Sequence, residues 1–359
     1  MISMKTIAIL FGGASYEYEV SLQSSYSIIS NIDTFKYNLI LIGITKQGEW
    51  CRYLGDINNI QNDTWNNPND TIPLAIQLNA NTPYLIETTT NKRLKIDAVF
   101  PILHGKNGED GTVQGLFSLF QIPIIGCDLI SSALCMDKYR SHLVIEAIGL
   151  RCPTSRVIYQ YEDSEEIITK ASDIGYPIFV KPLKAGSSFG ISKVDNDTEL
   201  VSAVLKARSY DTIVTLEEAI DGFEVGCAII GNQNLLIGEV DEIEISNDFF
   251  DFKEKYSLQT SKIHIPSRIP LTLANQVKET AKKIYKALGC TTFARVDMFI
   301  DQNQNIIFNE VNTIPGFTSH SRFPNMLKAA GYTYQQIIEM IIEEGLTYEN
   351  YQIKELSYQ

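Results

Sequence analysis

Two acidic residues late in the chain have a spacing that suits a divalent cation. Residues 294–316 read ARVDMFIDQNQNIIFNEVNTIPG, and a two-residue turn at Asn303-Gln304 would pair two antiparallel strands. In that register Asp297 lies opposite Glu310, and both side chains project from one face because side chains alternate along a strand. Two carboxylates that face each other across a strand pair repel, and a bound cation removes that cost. The spacing therefore predicts a metal site on a β-hairpin.

Arg295 and Asn312 occupy the next cross-strand position on the same face in this register. Oxygen donors without His or Cys favour Mg²⁺ or Mn²⁺, completed by water and phosphate. The alternative is a solvated acidic hairpin, which leaves the arginine on the same face and the following Asn-Thr-Ile-Pro-Gly unexplained. We therefore interpret Asp297, Glu310 and Asn312 as metal ligands.

A segment of small residues with a lysine lies between two predicted strands, at 178–182 and 191–194. Residues 181–190 read KPLKAGSSFG, in which backbone N–H groups can approach a phosphate closely while hydroxyls and a lysine add donors and charge. The following strand does not fit the strand-to-helix GxxxxGK[ST] loop. The segment predicts a phosphate clamp on a hairpin, with a plain flexible turn as the alternative.

Two glycine-containing loops follow predicted strands in the first third of the chain. Residues 12–17 read GGASYE and residues 104–111 read HGKNGEDG, and ligand sites of open α/β sheets lie at such strand ends. Glu17 would bind a substrate ammonium, or serve only as a favourable acid in the first turn of a helix. His104 would bind substrate, or be a buried structural residue.

Acidic residues seven positions apart follow another predicted strand. Residues 214–224 read VTLEEAIDGFE, and the carboxylates of Glu217 and Glu224 could accept hydrogen bonds from an adenine amino group and from ribose hydroxyls. Taken alone, they are better interpreted as surface acids, because the chain has a formal net charge of −13.

The surrounding elements predict how these segments are positioned. Short runs rich in Ile, Leu and Val predict strands at 5–11, 38–44 and 97–103. Helical or long segments separate them, which indicates crossover connections and a mostly parallel sheet. Residues 56–95 are rich in Asn, Asp and Thr and predict a surface excursion. Helices are expected at 131–149, 197–208, 272–288 and 333–345, with antiparallel hairpins after about residue 213.

Length and composition exclude several classes of protein. The 359 residues exceed what one hydrophobic core usually holds, so two or three lobes are expected. The charge of −13 argues against a general affinity for nucleic acid or anionic lipid. The six scattered cysteines and four histidines predict buried free thiols rather than a zinc site. We expect no membrane helix, and the N-terminus predicts a first strand and hence a cytoplasmic protein.

Together these motifs resemble the D-alanine–D-alanine ligase family of ATP-grasp enzymes, from Gly12 to Ser321. HGKNGEDGTVQG, and LGCTTFARVDMF followed by IIFNEVNTIPG, carry most of the resemblance. The resemblance implies an ATP-grasp fold of the α/β class, with α+β lobes and ATP between the last two. It places an N-terminal parallel-sheet α/β substrate lobe at 1–130, a small central lobe at 131–215, and an antiparallel C-terminal lobe with metal site and mobile loop at 216–359.

The resemblance also implies a role for each site residue. Contacts to ATP are implied for Lys138, Lys181, Ser188, Glu217, Glu224, Lys255 and Asn309. Two Mg²⁺ or Mn²⁺ ions would be bound by Asp297, Glu310 and Asn312. A hydrogen-bonded trio that links the first substrate to the mobile loop is implied for Glu17, Ser187 and Tyr256. Arg295 would stabilise the tetrahedral intermediate.

Substrate contacts are expected for His104, Ser321 and Arg322, and the second substrate is expected to bind near Arg322. D-alanine-specific ligases usually carry an aliphatic residue after His-Ser, whereas a guanidinium favours a substrate hydroxyl over a methyl group. This pattern is similar to the vancomycin-resistance ligases that make D-alanyl-D-serine, and FFDFKEKYSLQTSKI and NTIPGFTSHSRFPNM look most like the G-type. Tyr256 argues against a D-lactate ester product. The alternative for Arg322 is a surface salt-bridge residue in a D-alanine-specific enzyme.

These inferences predict an ATP-dependent ligase that joins D-alanine to D-serine through an acyl phosphate, for peptidoglycan precursors and glycopeptide resistance. The alternative function is the D-alanine–D-alanine ligase of ordinary wall synthesis. A catalytically silent ATP-binding regulator is a different class, and the full set of metal-ligand and arginine positions argues against it. The expected partners are D-alanine, D-serine, ATP and a second copy of the chain, with no nucleic acid or membrane.

Overall fold

The computed structural model describes residues 4–77, 84–184, 186, 189–245 and 261–356. Its strands are β1 (Lys5–Gly12), β2 (Tyr37–Ile44), β3 (Trp50–Tyr53), β4 (Thr71–Gln77), β5 (Tyr84–Glu87), β6 (Arg93–Leu94), β7 (Ala98–Pro101), β8 (Ser155–Ile158), β9 (Ile178–Pro182), β10 (Ser192–Val194), β11 (Val214–Glu218), β12 (Gly222–Ile230), β13 (Leu236–Ile237), β14 (Asp241–Ile245), β15 (Ser261–His264), β16 (Phe293–Asp301) and β17 (Ile306–Asn312). Its helices are α1 (Tyr18–Ile29), α2 (Asn58–Gln61), α3 (Thr112–Leu119), α4 (Leu129–Met136), α5 (Lys138–Ala147), α6 (Ser164–Ser172), α7 (Asp197–Arg208), α8 (Leu271–Ala287), α9 (Arg322–Ala329) and α10 (Tyr334–Leu356).

The first sheet is more antiparallel than the sequence predicts. Its strand order is β6-β5-β4-β3-β2-β1-β7, and only β1 pairs in parallel, with β2 and β7. The sequence predicts a surface excursion at 56–95, whereas part of this segment forms β4, β5 and β6, which extend the first sheet. Their short runs lie between polar turns, so composition averaged over the whole segment hides them.

Strand β1 is buried on both faces, which explains its unbroken apolar sequence. Ile7, Ile9 and Phe11 belong to a core that includes α1 and α10. Ala8 and Leu10 face the other way, into a core that includes α3. Burial on both sides fixes β1 in the sheet, and so fixes the position of the loop that follows it.

The second and third sheets are antiparallel. The second has the order β10-β9-β11-β8, and helices α6 and α7 contribute to its core. The third has the order β15-β14-β12-β16-β17, with β13 paired to β12. Helices α4 and α5 pack into the core of this third sheet together with α8, although the sequence places them in the central lobe. The lobe ranges 1–130, 131–215 and 216–359 stay a prediction. No helix in the described ranges has both the length and the apolar character to cross a membrane.

The β16–β17 hairpin has the predicted register at the site although its turn differs. Asp297 pairs with Glu310, and Arg295 pairs with Asn312. The turn holds three residues rather than two, with Gln304 at a φ of 62°. A bulge beside Asp297 leaves Asn309 unpaired and restores the register.

Candidate active site

The inner face of the hairpin holds a buried arginine–carboxylate pair. Arg295 Nε donates to Asp297 Oδ1 at 2.8 Å, and Arg295 Nη2 donates to Asp297 Oδ2 at 2.7 Å. Asn312 Nδ2 also donates to Asp297 Oδ2, at 2.9 Å. Three residues predicted from one strand pair are therefore in direct contact. Asp297 is only 1% exposed, so its charge requires these donors.

Lys138 joins this face from a helix. The sequence predicts one helix over 131–149, but the structure has two helices, α4 and α5, separated at Asp137. The Asp137 carboxylate accepts a hydrogen bond from Arg140 N at 3.0 Å and caps α5. Lys138 is consequently the first residue of α5, and its Nζ lies 3.4 Å from Glu310 Oε2. A predicted ATP lysine and a predicted metal carboxylate thus point at one another, as groups around a phosphate and its cation do.

The oxygen donors at this face fit a hard divalent cation. In the described part of the chain, no group of three or more His, Cys, Asp or Glu side chains converges on one point. The donor set is two carboxylates and one amide, from Asp297, Glu310 and Asn312, which suits Mg²⁺ or Mn²⁺ with water and phosphate as further ligands. Asp297 and Glu310 are cross-strand partners, which places both carboxylates on this face.

Arg322 lies in a buried ionic network that includes a residue the sequence did not reveal. Its Nε and Nη2 donate to the two carboxylate oxygens of Asp241 at 2.6 and 2.9 Å. Its Nη1 donates to Glu224 at 2.5 Å, and its Nη2 lies 3.4 Å from Asp297. Arg322 is 7% exposed, so the alternative interpretation of Arg322 as a surface salt-bridge residue is wrong. Burial alone would lower the pKa of Arg322, but the charges of Asp241, Asp297 and Glu224 together outweigh it and hold that pKa well above its ordinary value.

Asp241 can reach Arg322 because its cross-strand neighbour has no side chain. Asp241 pairs with Gly226 of β12, and a Cβ at Gly226 would lie 2.5 Å from Arg322 Nη2. The alternation of DEIEI along β14 predicts that Asp241 and Ile243 share a face, but it does not reveal which face is the site.

One pocket joins residues predicted from separate segments. The predicted residues that line it are Glu17, His104, Arg295, Asn312, Ser321 and Arg322. Glu109 lines it too, although the sequence assigned no role to this acid in the HGKNGEDG segment. Glu17 reaches the pocket from the loop after β1, and His104 and Glu109 reach it from the loop after β7, as expected for ligand sites at strand ends.

His104 is held by the protein on both ring nitrogens. Its Nδ1 lies 2.8 Å from Ile314 O, and its Nε2 lies 3.0 Å from Ser24 Oγ. Burial lowers the pKa of His104 to about 4, so the ring is neutral, Nδ1–H donates to the carbonyl and Nε2 accepts from the hydroxyl. The ring holds the segment after β17 and lines the pocket, and a substrate contact at His104 stays a prediction.

Glu17 and Glu109 form an acidic end of the pocket. Glu109 accepts hydrogen bonds from Ile314 N at 3.0 Å and from Gly105 N at 2.8 Å. Burial raises the pKa of Glu109 to about 8, with further contributions from the negative charges of Glu17 and Glu310. The carboxylates of Glu17 and Glu109 disfavour each other's negative charge. A substrate ammonium would offset that effect, which favours the ligand interpretation of Glu17.

We expect Glu109 to make the free energy of unfolding fall as pH rises from about 4.5 to about 8. The folded chain keeps the Glu109 proton up to about pH 8, whereas the ordinary pKa is 4.5. Because the folded state binds more protons in this window, raising the pH favours unfolding, by about 1.4 kcal/mol per pH unit for one group. Urea titrations across this window, on wild type and Glu109→Gln, measure the slope. A variant that keeps the wild-type slope would contradict a proton on Glu109.

The second sheet presents a buried lysine–glutamate pair. Lys181 Nζ donates to Glu217 Oε2 at 2.5 Å. Burial alone would raise the pKa of Glu217, but the charge of Lys181, its hydrogen bond and the smaller effect of further neighbours such as Lys138 together outweigh burial and hold that pKa below its ordinary value. Glu217 Oε1 and Thr215 Oγ1 are buried without a hydrogen-bond partner in the described part of the chain. Such atoms mark places where the donors of a ligand can bind.

The remaining predicted residues have different outcomes. Asn309 is the bulge residue of the hairpin, and its carbonyl accepts a hydrogen bond from His142 Nε2 at 2.9 Å. Four predicted site residues lie outside the described residues, namely Ser187, Ser188, Lys255 and Tyr256. The phosphate loop and the mobile loop therefore stay predictions at those positions.

A pocket lined by carboxylates and arginines, with Lys138 beside Glu310 and Lys181 beside Glu217, is suited to phosphoryl transfer followed by ligation. Two family models match the chain: D-ala D-ala ligase N-terminus over residues 6–127, and D-ala D-ala ligase C-terminus over residues 145–343. The chain therefore belongs to the D-alanine–D-alanine ligase family and is a ligase with the ATP-grasp fold, which confirms the family and fold predicted from the sequence.

Several relatives match over nearly their whole length. The vancomycin C-type resistance protein VanC1 of Enterococcus gallinarum is 43% identical, over 94% of this chain and 98% of its own. The D-alanine–D-alanine ligase of Thermoanaerobacter sp. (strain X514) is 42% identical, over 98% of this chain and 99% of its own. The solved structure of the VanG D-Ala:D-Ser ligase from Enterococcus faecalis is 48% identical, with a TM-score of 0.88 over 95% of this chain and 99% of that chain.

Proposed function

We propose that this ligase joins D-alanine to D-serine and so supplies D-alanyl-D-serine for peptidoglycan precursors. The observation that carries the proposal is the buried pair of Arg322 and Asp241 at the wall of the substrate pocket. The similarity to the VanG D-Ala:D-Ser ligase supports it. Such a precursor terminus weakens glycopeptide binding, so resistance is the physiological role that follows.

The chemistry of Arg322 supports a hydroxyl-bearing second substrate. A guanidinium has five N–H donors, and the hydrogen bonds of Arg322 to Asp241 and Glu224 use three of them within the described residues. Its Nη2 also lies 3.4 Å from Asp297 Oδ1 in an ion pair. One Nη1 N–H is left for a substrate oxygen. A methyl group in its place would leave that donor unsatisfied, and sites built for a hydroxyl discriminate strongly against analogues that lack it.

The first half-reaction activates D-alanine. We assign Glu17 and Glu109 to its ammonium, and Lys138 and Lys181 to the phosphates of ATP. A carboxylate oxygen of D-alanine attacks the γ-phosphorus, which gives an acyl phosphate and ADP. Mg²⁺ or Mn²⁺, two ions by the family resemblance, would be held by Asp297, Glu310 and Asn312 and would neutralise charge on the phosphates.

The second half-reaction forms the amide. The amine of D-serine attacks the acyl carbon, phosphate leaves, and the amine loses a proton. We assign Arg295 to the oxyanion of the tetrahedral intermediate, because Asp297 fixes its guanidinium through two hydrogen bonds. We also propose a cytoplasmic location, where ATP is available, and a homodimer.

D-alanine–D-alanine ligation is the second candidate function. The 42% identity to a D-alanine–D-alanine ligase over nearly the whole chain favours it. The machinery for ATP, metal and the first substrate would be the same, and the two candidates differ only in the second substrate.

A competition assay separates the candidates. The purified chain receives Mg-ATP, D-alanine and an equal concentration of D-serine, and mass spectrometry measures the two dipeptides, with D-lactate in a parallel reaction. We expect mostly D-alanyl-D-serine and no ester. Mostly D-alanyl-D-alanine would select the second candidate, whereas no phosphate release would contradict both.

A further inference from the structure

Three aromatic rings meet between the loop after β1 and the loop after β9. The ring of Tyr16 lies 5.5 Å from that of Tyr210 and 5.6 Å from that of Phe189. The rings of Phe189 and Tyr210 are 6.1 Å apart. All three distances are within the range of favourable aromatic pairs. The cluster thus joins the N-terminal sheet, through Tyr16, to the phosphate loop at 183–190.

Both ends of the phosphate loop contact the segment between α7 and β11, at Asp211 and Tyr210. Lys184 N donates to Asp211 Oδ2 at 2.9 Å at its start. Gly190, at its end, has a φ of 73° and lies so close to Tyr210 that a Cβ would be 2.6 Å from the ring.

Two described residues of the loop, Gly186 and Phe189, lie against two adjacent residues of the loop after β1. A Cβ at Gly186 would lie 2.7 Å from Glu17 Oε2, so the loop backbone runs directly against that carboxylate. Tyr16, the preceding residue, contacts Phe189. Because Tyr16 and Glu17 are consecutive, a ring contact that fixes the loop on Tyr16 also sets its position against Glu17.

We propose that Tyr16 is a positioning residue that holds the phosphate loop against the first-substrate site during turnover. The inference rests on the proposed function, since it takes Glu17 as the contact to D-alanine and the loop as the contact to ATP phosphates. Tyr16 is 70% exposed, so the fold of the N-terminal lobe does not depend on it. Its contribution is to align ATP with the carboxylate that ATP phosphorylates and to keep water from the acyl phosphate.

Tyr16→Ala tests this role. We expect the KM for Mg-ATP to rise about three- to tenfold, as the loss of one or two aromatic contacts predicts, with a smaller change in kcat. We also expect more ADP per dipeptide than in wild type, because water reaches the acyl phosphate. Tyr16→Phe should behave like wild type, since the contacts are made by the ring.

A matched control is available in the second sheet region. Tyr161 is 83% exposed and stacks on Tyr159 with ring centroids 5.6 Å apart, outside the pockets described here. Tyr161→Ala should leave the KM and the ADP-to-dipeptide ratio unchanged. Wild-type values in Tyr16→Ala, or equal defects in Tyr16→Phe and Tyr16→Ala, would overturn the proposal.

Calorimetric titration with Mg-ATP separates this inference from the proposed function. Weaker binding to Tyr16→Ala than to wild type supports the role of Tyr16 even if wild type forms no dipeptide, which would contradict the proposed function alone. Equal binding by both proteins overturns the role of Tyr16 and leaves the proposed function standing. A wild-type chain that binds no Mg-ATP overturns both.

Discussion

Glu310→Gln should reduce dipeptide formation on the order of a thousandfold while the chain stays folded. The substitution keeps the shape of the side chain and removes its charge. Glu310 Oε2 lies 3.4 Å from Lys138 Nζ, and Glu310 is the cross-strand partner of Asp297. The lost negative charge would weaken binding of the cation that neutralises the transferring phosphoryl group. Coupled detection of ADP and mass spectrometry of the dipeptide measure the effect.

The matched control is a carboxylate in an ordinary ion pair. Glu279 lies on the exposed side of α8, with an oxygen 2.6 Å from Lys282 Nζ, and Glu279→Gln should keep wild-type turnover. Thermal unfolding of both variants shows whether each is folded. Turnover of Glu310→Gln within about threefold of wild type would contradict the metal assignment for Asp297, Glu310 and Asn312.

Arg322→Met should shift the product from D-alanyl-D-serine towards D-alanyl-D-alanine and also destabilise the chain. The shift follows from loss of the donor to the substrate hydroxyl. The destabilisation, about 3–5 kcal/mol, follows because Asp241 and Glu224 lose a buried counter-ion. The competition assay measures the product ratio, and urea unfolding measures the free energy.

A second variant separates selectivity from stability. In Arg322→Met with Asp241→Asn, the carboxylate that accepted two hydrogen bonds from Arg322 is replaced by a neutral amide, so we expect part of the stability to return while the product ratio stays shifted. Arg322→Lys keeps the positive charge without the bidentate geometry, so an intermediate ratio is expected. A wild-type product ratio in all three variants would show that Arg322 does not select the second substrate.

Local sequence patterns are sufficient to predict which side chains share the face of the β16–β17 hairpin. Side chains alternate in a strand, and the two strands are close in the chain, so local rules were enough to place Asp297 opposite Glu310. The turn length was wrong, yet the bulge at Asn309 compensated for the extra turn residue. A one-residue slip would have reversed which side chains faced the site, and the register therefore tolerates little variation.

The tertiary structure alone decided what surrounds that hairpin. Arg322 and Asp241 are 81 positions apart, and Glu109 and Ile314 are 205 apart, so their contacts depend on strand order and loop paths that no local pattern encodes. The same holds for Tyr16, whose contact with Phe189 exists because the loop after β1 meets the loop after β9. Residue types and spacing specify what a side chain can do, whereas its partners, its burial and hence its pKa arise only when distant segments pack together.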